Sequence, residues 1–148
     1  MSLAVDVSAA GVRVPLARAR VAELVRGVLK AERVRDAMVS VAFLDDRAMA
    51  ALNRRHLGHR GATDVISFGF AAAPGQGVVG DIYVAPAVVR ENARRHGTSG
   101  REELARVVIH GTLHVLGHDH PADGEREESE MWRRQERLLR RLYGTAAG

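Results

Sequence analysis

The spacing of apolar positions changes several times along the chain, and each change marks an element. From Leu3 to Val7 apolar residues alternate with others under a β-branched bias, the period of a half-buried strand. Leu16 to Lys30 instead places apolar residues at 16, 21, 24, 25, 28 and 29 between arginines, a helical period. Val39 to Leu44 reads as a second strand, followed by Asp45 and Asp46, either able to cap a helix through Met49 and Leu52 to Arg55. The stretch from Leu57 to Ala62 is too rich in glycine and basic charge for a regular element, and it leads into a strand from Thr63 to Phe68. Pro74, Gly75 and Gly77 make a turn of Ala71 to Gly77 before a further strand, Val78 to Val84. So short a connection predicts antiparallel pairing, because a parallel return needs a crossover of about a dozen residues or more.

Pro86 then opens a helix to His96, where its missing N–H costs nothing, and Gly97 ends it. Ser99-Gly100-Arg101-Glu102 matches a capping box for a helix from Gly100 to Leu116 whose second half is apolar on most sides, the mark of a buried helix. A last helix, capped by Asp123, lines up Met131, Gln135, Leu138, Leu139 and Leu142 in one stripe. Its early Glu125, Glu127 and Glu128 and late arginines suit the helix dipole. Gly144 to Gly148 have nothing to bury and are expected to form a disordered tail. Strands and helices interspersed in this way predict one α+β domain over residues 1–148, a small mixed sheet of about four strands packed with about five helices.

Composition narrows the chemistry. A chain of 148 residues, 46% hydrophobic and 27% charged, fits one core and leaves no room for a second domain. The net charge is +4, and Lys30 is the only lysine among 22 basic residues, so the rest are arginine. The guanidinium fork suits phosphate, although a solvated face uses arginine equally often; an RNA or DNA partner is permitted, not required. With three Phe, two Tyr and one Trp, binding by successive bases stacked on aromatic rings is not expected. The absence of cysteine excludes disulfides, thiolate metal sites and a thiol nucleophile, so any metal must rest on His, Asp or Glu. No basic stretch precedes an apolar run at the start, and nowhere do about 18 apolar residues run together. A cytoplasmic location, no membrane contact and no dinucleotide cofactor are expected.

Of the 7 histidines, His110, His114, His118 and His120 crowd into one short window. His110 and His114 are four apart on a predicted helix, so their imidazoles leave one face about one turn apart, near enough to share an ion. Gly117 supplies the left-handed residue that ends a helix, which lets His120 return to the same point. Three neutral imidazoles and an open fourth position for water describe a catalytic zinc site at the end of a buried helix. The spacing His-x3-His-x2-Gly-x2-His is shared with the metzincin zinc proteases, but their glutamate base is replaced by Gly111, which cannot take a proton. Met131 occupies a place where it could underlie the metal, as a methionine does in those proteases, yet its stripe favours core packing. His118 reads as facing solvent or substrate. Asp119 reads as orienting a ligand histidine or, alternatively, as a base. Thr63, Asp64 and Ser67 read as strand-end hydrogen-bonding residues, and Asp81 as satisfying a loop.

The window His110-Gly111-Thr112-Leu113-His114-Val115-Leu116-Gly117-His118-Asp119-His120 resembles the H-G-x-L-H-L-x-G-Y-D-H signature of the YbeY family of bacterial rRNA maturation factors. Leu52-Asn53 followed by Thr63-Asp64-Val65-Ile66-Ser67-Phe68 resembles the family's L-N…T-D-V-L-S-F, and Gly80-Asp81-Ile82 its G-D-I. Three ordered motifs, within Val39 to Leu142, are far more specific than one. The resemblance implies a zinc-dependent, single-strand-specific endoribonuclease, a hydrolase of RNA phosphodiester bonds. It would mature the 3′ end of small-subunit (16S) rRNA and act in ribosome quality control, with single-stranded rRNA, the small ribosomal subunit and assembly factors as partners. It also implies one Zn²⁺ held by His110, His114 and His120.

Two positions depart from the family pattern. His118 stands where a tyrosine is usual, and Leu57 stands where members carry an arginine placed to meet the RNA phosphate. Arg54, Arg55 and Arg60 lie close by as candidates for holding phosphate, with Arg60 and Asp119 also candidates for catalysis beside a zinc-bound water. Whether that water or the RNA's own 2′-hydroxyl attacks stays open. The competing readings are a metal-stabilised ribosome-assembly factor with little nuclease activity, which Leu57 favours, and a zinc peptidase, which Gly111 argues against.

Overall fold

The structure, a computed structural model, describes residues 2–58, 61, 63–70, 77–117 and 125–144. The alternating first segment and the helical period behind it form a unit of β1 (Leu3–Ala9), α1 (Arg18–Ala31) and β2 (Ala37–Phe43). A crossover helix permits parallel pairing, and β1 lies parallel to β2 with Val5 opposite Val39 and Val7 opposite Val41. Next comes α2 (Asp46–Leu57), capped by Asp45, whose carboxylate accepts from the Ala48 N–H at 2.8 Å. The strands β3 (Val65–Phe70) and β4 (Val78–Val84) pair antiparallel, as the short connection predicts. Since β4 also runs parallel beside β2, the sheet is mixed and four-stranded in the order β1-β2-β4-β3. Three helices complete the described chain: α3 (Pro86–His96), α4 (Gly100–Val115) and α5 (Glu125–Leu142). Among the described residues the predicted α+β architecture of four strands and five helices is what forms.

Several boundaries move by a residue or two for local reasons. Thr63 and Asp64 precede β3 instead of opening it, because the Asp64 carbonyl accepts the Ala85 N–H at 2.9 Å outside the ladder. Leu57 is the last residue of α2, not the start of the glycine-rich stretch, and Gly58 stops the helix with φ 70°. Gly97 ends α3 with φ 68°. Ser99 accepts the Glu102 N–H at 3.0 Å, but the second half of the capping box is replaced: the Glu102 carboxylate turns to Arg106 at 3.5 Å. Asp81 lies in β4, where it accepts from the Ser40 hydroxyl on β2 at 2.6 Å, so it joins two strands and serves no loop. The predicted cap Asp123, residues 71–76 of the predicted turn and residues 145–148 of the tail lie outside the described residues.

One face of the sheet carries the main core, in which Val39, Val41, Phe43, Ile82 and Val84 meet α1 and α4. On the other face Met49, Ile66 and Ala85 pack with Leu52, Phe68 and Tyr83 under α2. Helix α4 touches β3 and β4 on one side and α1, α3 and α5 on the others, which is why Leu104, Val108, Ile109 and Leu113 are all buried on it. Its second half lies unusually close to the sheet. A Cβ on Gly111 would sit 2.9 Å from Ile82 Cγ2 and 3.0 Å from Ser67 Oγ, and the Ser67 hydroxyl donates to the Gly111 carbonyl at 3.1 Å. Gly69 and Gly80 face each other across β3 and β4, and Val115 rests on the notch they leave, with a Cβ on Gly69 falling 2.5 Å from the Val115 carbonyl oxygen. No described helix is long and apolar enough to cross a membrane.

Candidate metal centre and cleft

Helix α4 brings the first two predicted ligands together. The Nε2 atoms of His110 and His114 face each other at 2.9 Å with the rings at 68°. Tetrahedral zinc with bonds of about 2.0–2.1 Å sets neighbouring nitrogens about 3.3 Å apart, so the pair is within a few tenths of an ångström of the spacing a shared ion needs. The helix then ends as predicted: the Gly117 N–H donates to the His114 carbonyl at 2.9 Å, and Gly117 has φ 95°. His118, Asp119 and His120 lie outside the described residues. Among the described residues no set of three or more His, Cys, Asp or Glu side chains converges as a metal site.

The protonation of His110 follows from its other nitrogen. His110 Nδ1 lies 2.6 Å from Gln135 Oε1 on α5. The amide orientation is fixed by its own far end, since Gln135 Nε2 donates to Glu136 Oε2 at 3.2 Å. A carbonyl oxygen only accepts, so an imidazole N–H sits on Nδ1, and in the neutral form of the ring the lone pair then falls on Nε2, the nitrogen that faces His114. That is the tautomer a metal ligand requires. Behind Gln135 stands an ionic anchor. Arg106 donates to Glu136 through Nε at 2.9 Å and Nη2 at 3.1 Å, and to Glu103 through Nη1 at 3.0 Å. Burial alone would lower the Arg106 pKa, but the hydrogen bond and charge of Glu136, with the charges of Glu103 and Glu102, more than reverse this and hold it above the ordinary range. Arg106, Glu136, Gln135 and His110 thus form one connected line from a fixed cation to the ligand pair.

His110 and Gln135 open into a cleft of about 580 Å³ whose walls also include Asp64, Asn92, Met131 and Trp132. Met131 is buried in the core stripe, as its spacing predicts, and borders this cleft. Arg54 and Arg55 are exposed in the last turn of α2, while Arg60 lies outside the described residues. Gly61, between α2 and β3, is held by Asn53, a buried side chain whose Nδ2–H donates to the Gly61 carbonyl at 2.9 Å. Spacing alone puts Gln135 in an apolar stripe, and Asn53 stands out only as part of the L-N motif, with no contact implied. The available signal was polarity: an amide at a position that helical spacing buries needs a partner. Asp64, read as a strand-end group, is a wall of the cleft, and Ser67 fastens α4 to the sheet.

The fold and site define a class: a single α+β domain that presents an i,i+4 histidine pair at the end of a buried helix, beside an open cleft. A family model described as Endoribonuclease YbeY matches residues 8–143. The chain is similar to proteins named Endoribonuclease YbeY from Chlorobium phaeobacteroides, at 38% identity over 119 residues (80% of this chain, 83% of that one), and from Beutenbergia cavernae, at 42% identity over 130 residues (82% and 85%). It also resembles the solution structure of TM1509 from Thermotoga maritima, at 27% identity and a TM-score of 0.63, covering 95% of this chain and 89% of the other. The chain belongs to the YbeY family.

Proposed function

We propose that this protein is a zinc-dependent endoribonuclease that cuts single-stranded RNA, acting in the cytoplasm on the 3′ end of small-subunit (16S) rRNA and in ribosome quality control beside the small subunit and its assembly factors. The observation that carries the metal is the His110–His114 pair, 2.9 Å apart at Nε2, with the proton of His110 held on Nδ1 by Gln135. The names of the relatives supply the reaction class. In this reading His110, His114 and His120 hold one Zn²⁺, which when bound polarises a phosphoryl oxygen and lowers the pKa of water.

The chain's own groups do the rest. Arg54 and Arg55, exposed at the end of α2, neutralise phosphates of the incoming strand, and Arg60 is a candidate for the scissile phosphate in place of the arginine that Leu57 replaces. Asp119 is a candidate either to orient a ligand histidine or to move a proton. Gln135 is a positioning residue that acts through His110. The close contact of Gly111 with Ile82 and Ser67 leaves no space for a glutamate base at that position, which weighs further against a peptidase.

Metal analysis paired with cleavage of a structured rRNA fragment tests this directly. Wild-type protein is expected to carry about one zinc per chain and to cut only unpaired segments, with both zinc and cutting lost in His114→Ala. Cleavage that persists unchanged in His114→Ala overturns the assignment. Tight binding to small subunits with every precursor left intact would instead make the protein an assembly factor, the reading that Leu57 favours.

A further inference from the structure

We infer that Trp132 and the cleft behind it form a subsite for one unpaired nucleobase of an RNA strand whose phosphate lies at the His110–His114 pair. This rests on the endoribonuclease reading for its ligand and adds to it the means of recognising a single strand. Trp132 is the chain's only tryptophan and is 56% exposed. It stands on α5 one turn before Gln135, so its indole borders the cleft that His110 lines. A volume of about 580 Å³ lies within the range of a site for one small molecule, about 300–1,000 Å³.

The lining distinguishes a base from a phosphate. Val107 and Met131 are apolar and suit the flat face of a ring, while Asp64 and Asn92 offer acceptors and donors to a ring edge. Arg106, the guanidinium in the lining, is already paired with Glu103 and Glu136, so it offers a phosphate little, and the Asp64 carboxylate repels one, leaving the phosphate to the His110–His114 pair and the arginines of α2. A base enters such a cleft only after leaving its stack, and unpaired strands make that exchange at least cost. Stacking on an aromatic ring tolerates any base, so this subsite selects strandedness before sequence. One indole used in this way is compatible with a chain otherwise too poor in exposed aromatics to bind a run of bases.

The sole tryptophan makes the test direct in the intact protein. A short single-stranded RNA of mixed sequence is expected to quench Trp132 fluorescence on binding, and the same strand annealed to its complement is not. By anisotropy of labelled RNA, Trp132→Ala is expected to bind about tenfold more weakly, and Trp132→Phe to stay within a few-fold of wild type. RNA binding that leaves the fluorescence unchanged, or a thermally stable Trp132→Ala that binds as wild type does, overturns the subsite. RNA that binds and quenches without being cut supports the subsite and counts against the nuclease reading. RNA that Trp132→Ala cuts with unchanged KM does the reverse.

Discussion

The proton on His110 is set by a residue 25 positions further along the chain, whose carbonyl oxygen leaves the imidazole no choice of donor. With Gln135 replaced by leucine the ring is free to carry its proton on Nε2, where it opposes a metal. Zinc affinity, read by competition with a chromophoric chelator, should then fall about 10–100-fold, the usual effect of losing such a partner. Gln135→Glu keeps an acceptor at the same reach and should retain most of the affinity. Equal affinity in Gln135→Leu and wild type would show that Gln135 only packs. Much of this site was legible in the sequence: the i,i+4 histidines and the glycine stop after them appear where their spacing puts them. The contribution of Gln135 was not, because a stripe of one residue in every turn shows that a side chain is buried without showing what it meets. That depends on α5 lying against α4, a contact between separate segments.

At the scale of elements, the question is what fixes the end of α4 against the sheet. Gly69 and Gly80 lie opposite one another, and Val115 fills the space that two side chains would occupy. The atom a Gly69 Cβ would meet is the Val115 carbonyl oxygen at 2.5 Å, backbone that cannot swing aside as a side chain does. Gly69→Ala should therefore cost about 1–3 kcal/mol of stability, seen as a lower denaturant midpoint at constant slope. Because His114 precedes Val115 on the same turn, zinc affinity should fall with it, and a variant as stable as wild type would mean the helix end is not held there. Residue bias predicted both strands and the short connection predicted their antiparallel pairing, yet Gly69 lay beyond the expected end of its strand at Phe68. Gly111 likewise marked only a missing base in the sequence. Its close approach to Ile82 and Ser67 joins three distant stretches, and only the assembled helix and sheet bring them together.

Across the whole molecule, an RNA strand must be guided by charge to a site whose own cleft bears carboxylates. Of the 22 basic residues behind the net charge of +4 all but Lys30 are arginine, and Arg54 and Arg55 stand on the last turn of α2 beside Asn53, which holds Gly61. With leucine at position 57, the proposed phosphate-binding part rests on Arg54, Arg55 and Arg60, the first two on the last turn of α2. Such a set acts as a field more than as one fixed fork, and a field is what salt screens. Replacing Arg54 and Arg55 together by alanine should weaken single-stranded RNA binding most at low salt. It should also flatten the dependence of log K on log salt by about 0.7 for each phosphate contact removed. Both residues are exposed, so the fold and zinc content should stay as in wild type. An unchanged salt slope would place the strand's path away from α2, and Arg60 would then have no neighbours to share the phosphate with. A flattened slope with intact zinc would separate strand guidance from metal binding, assigning the first to α2 and the second to the end of α4.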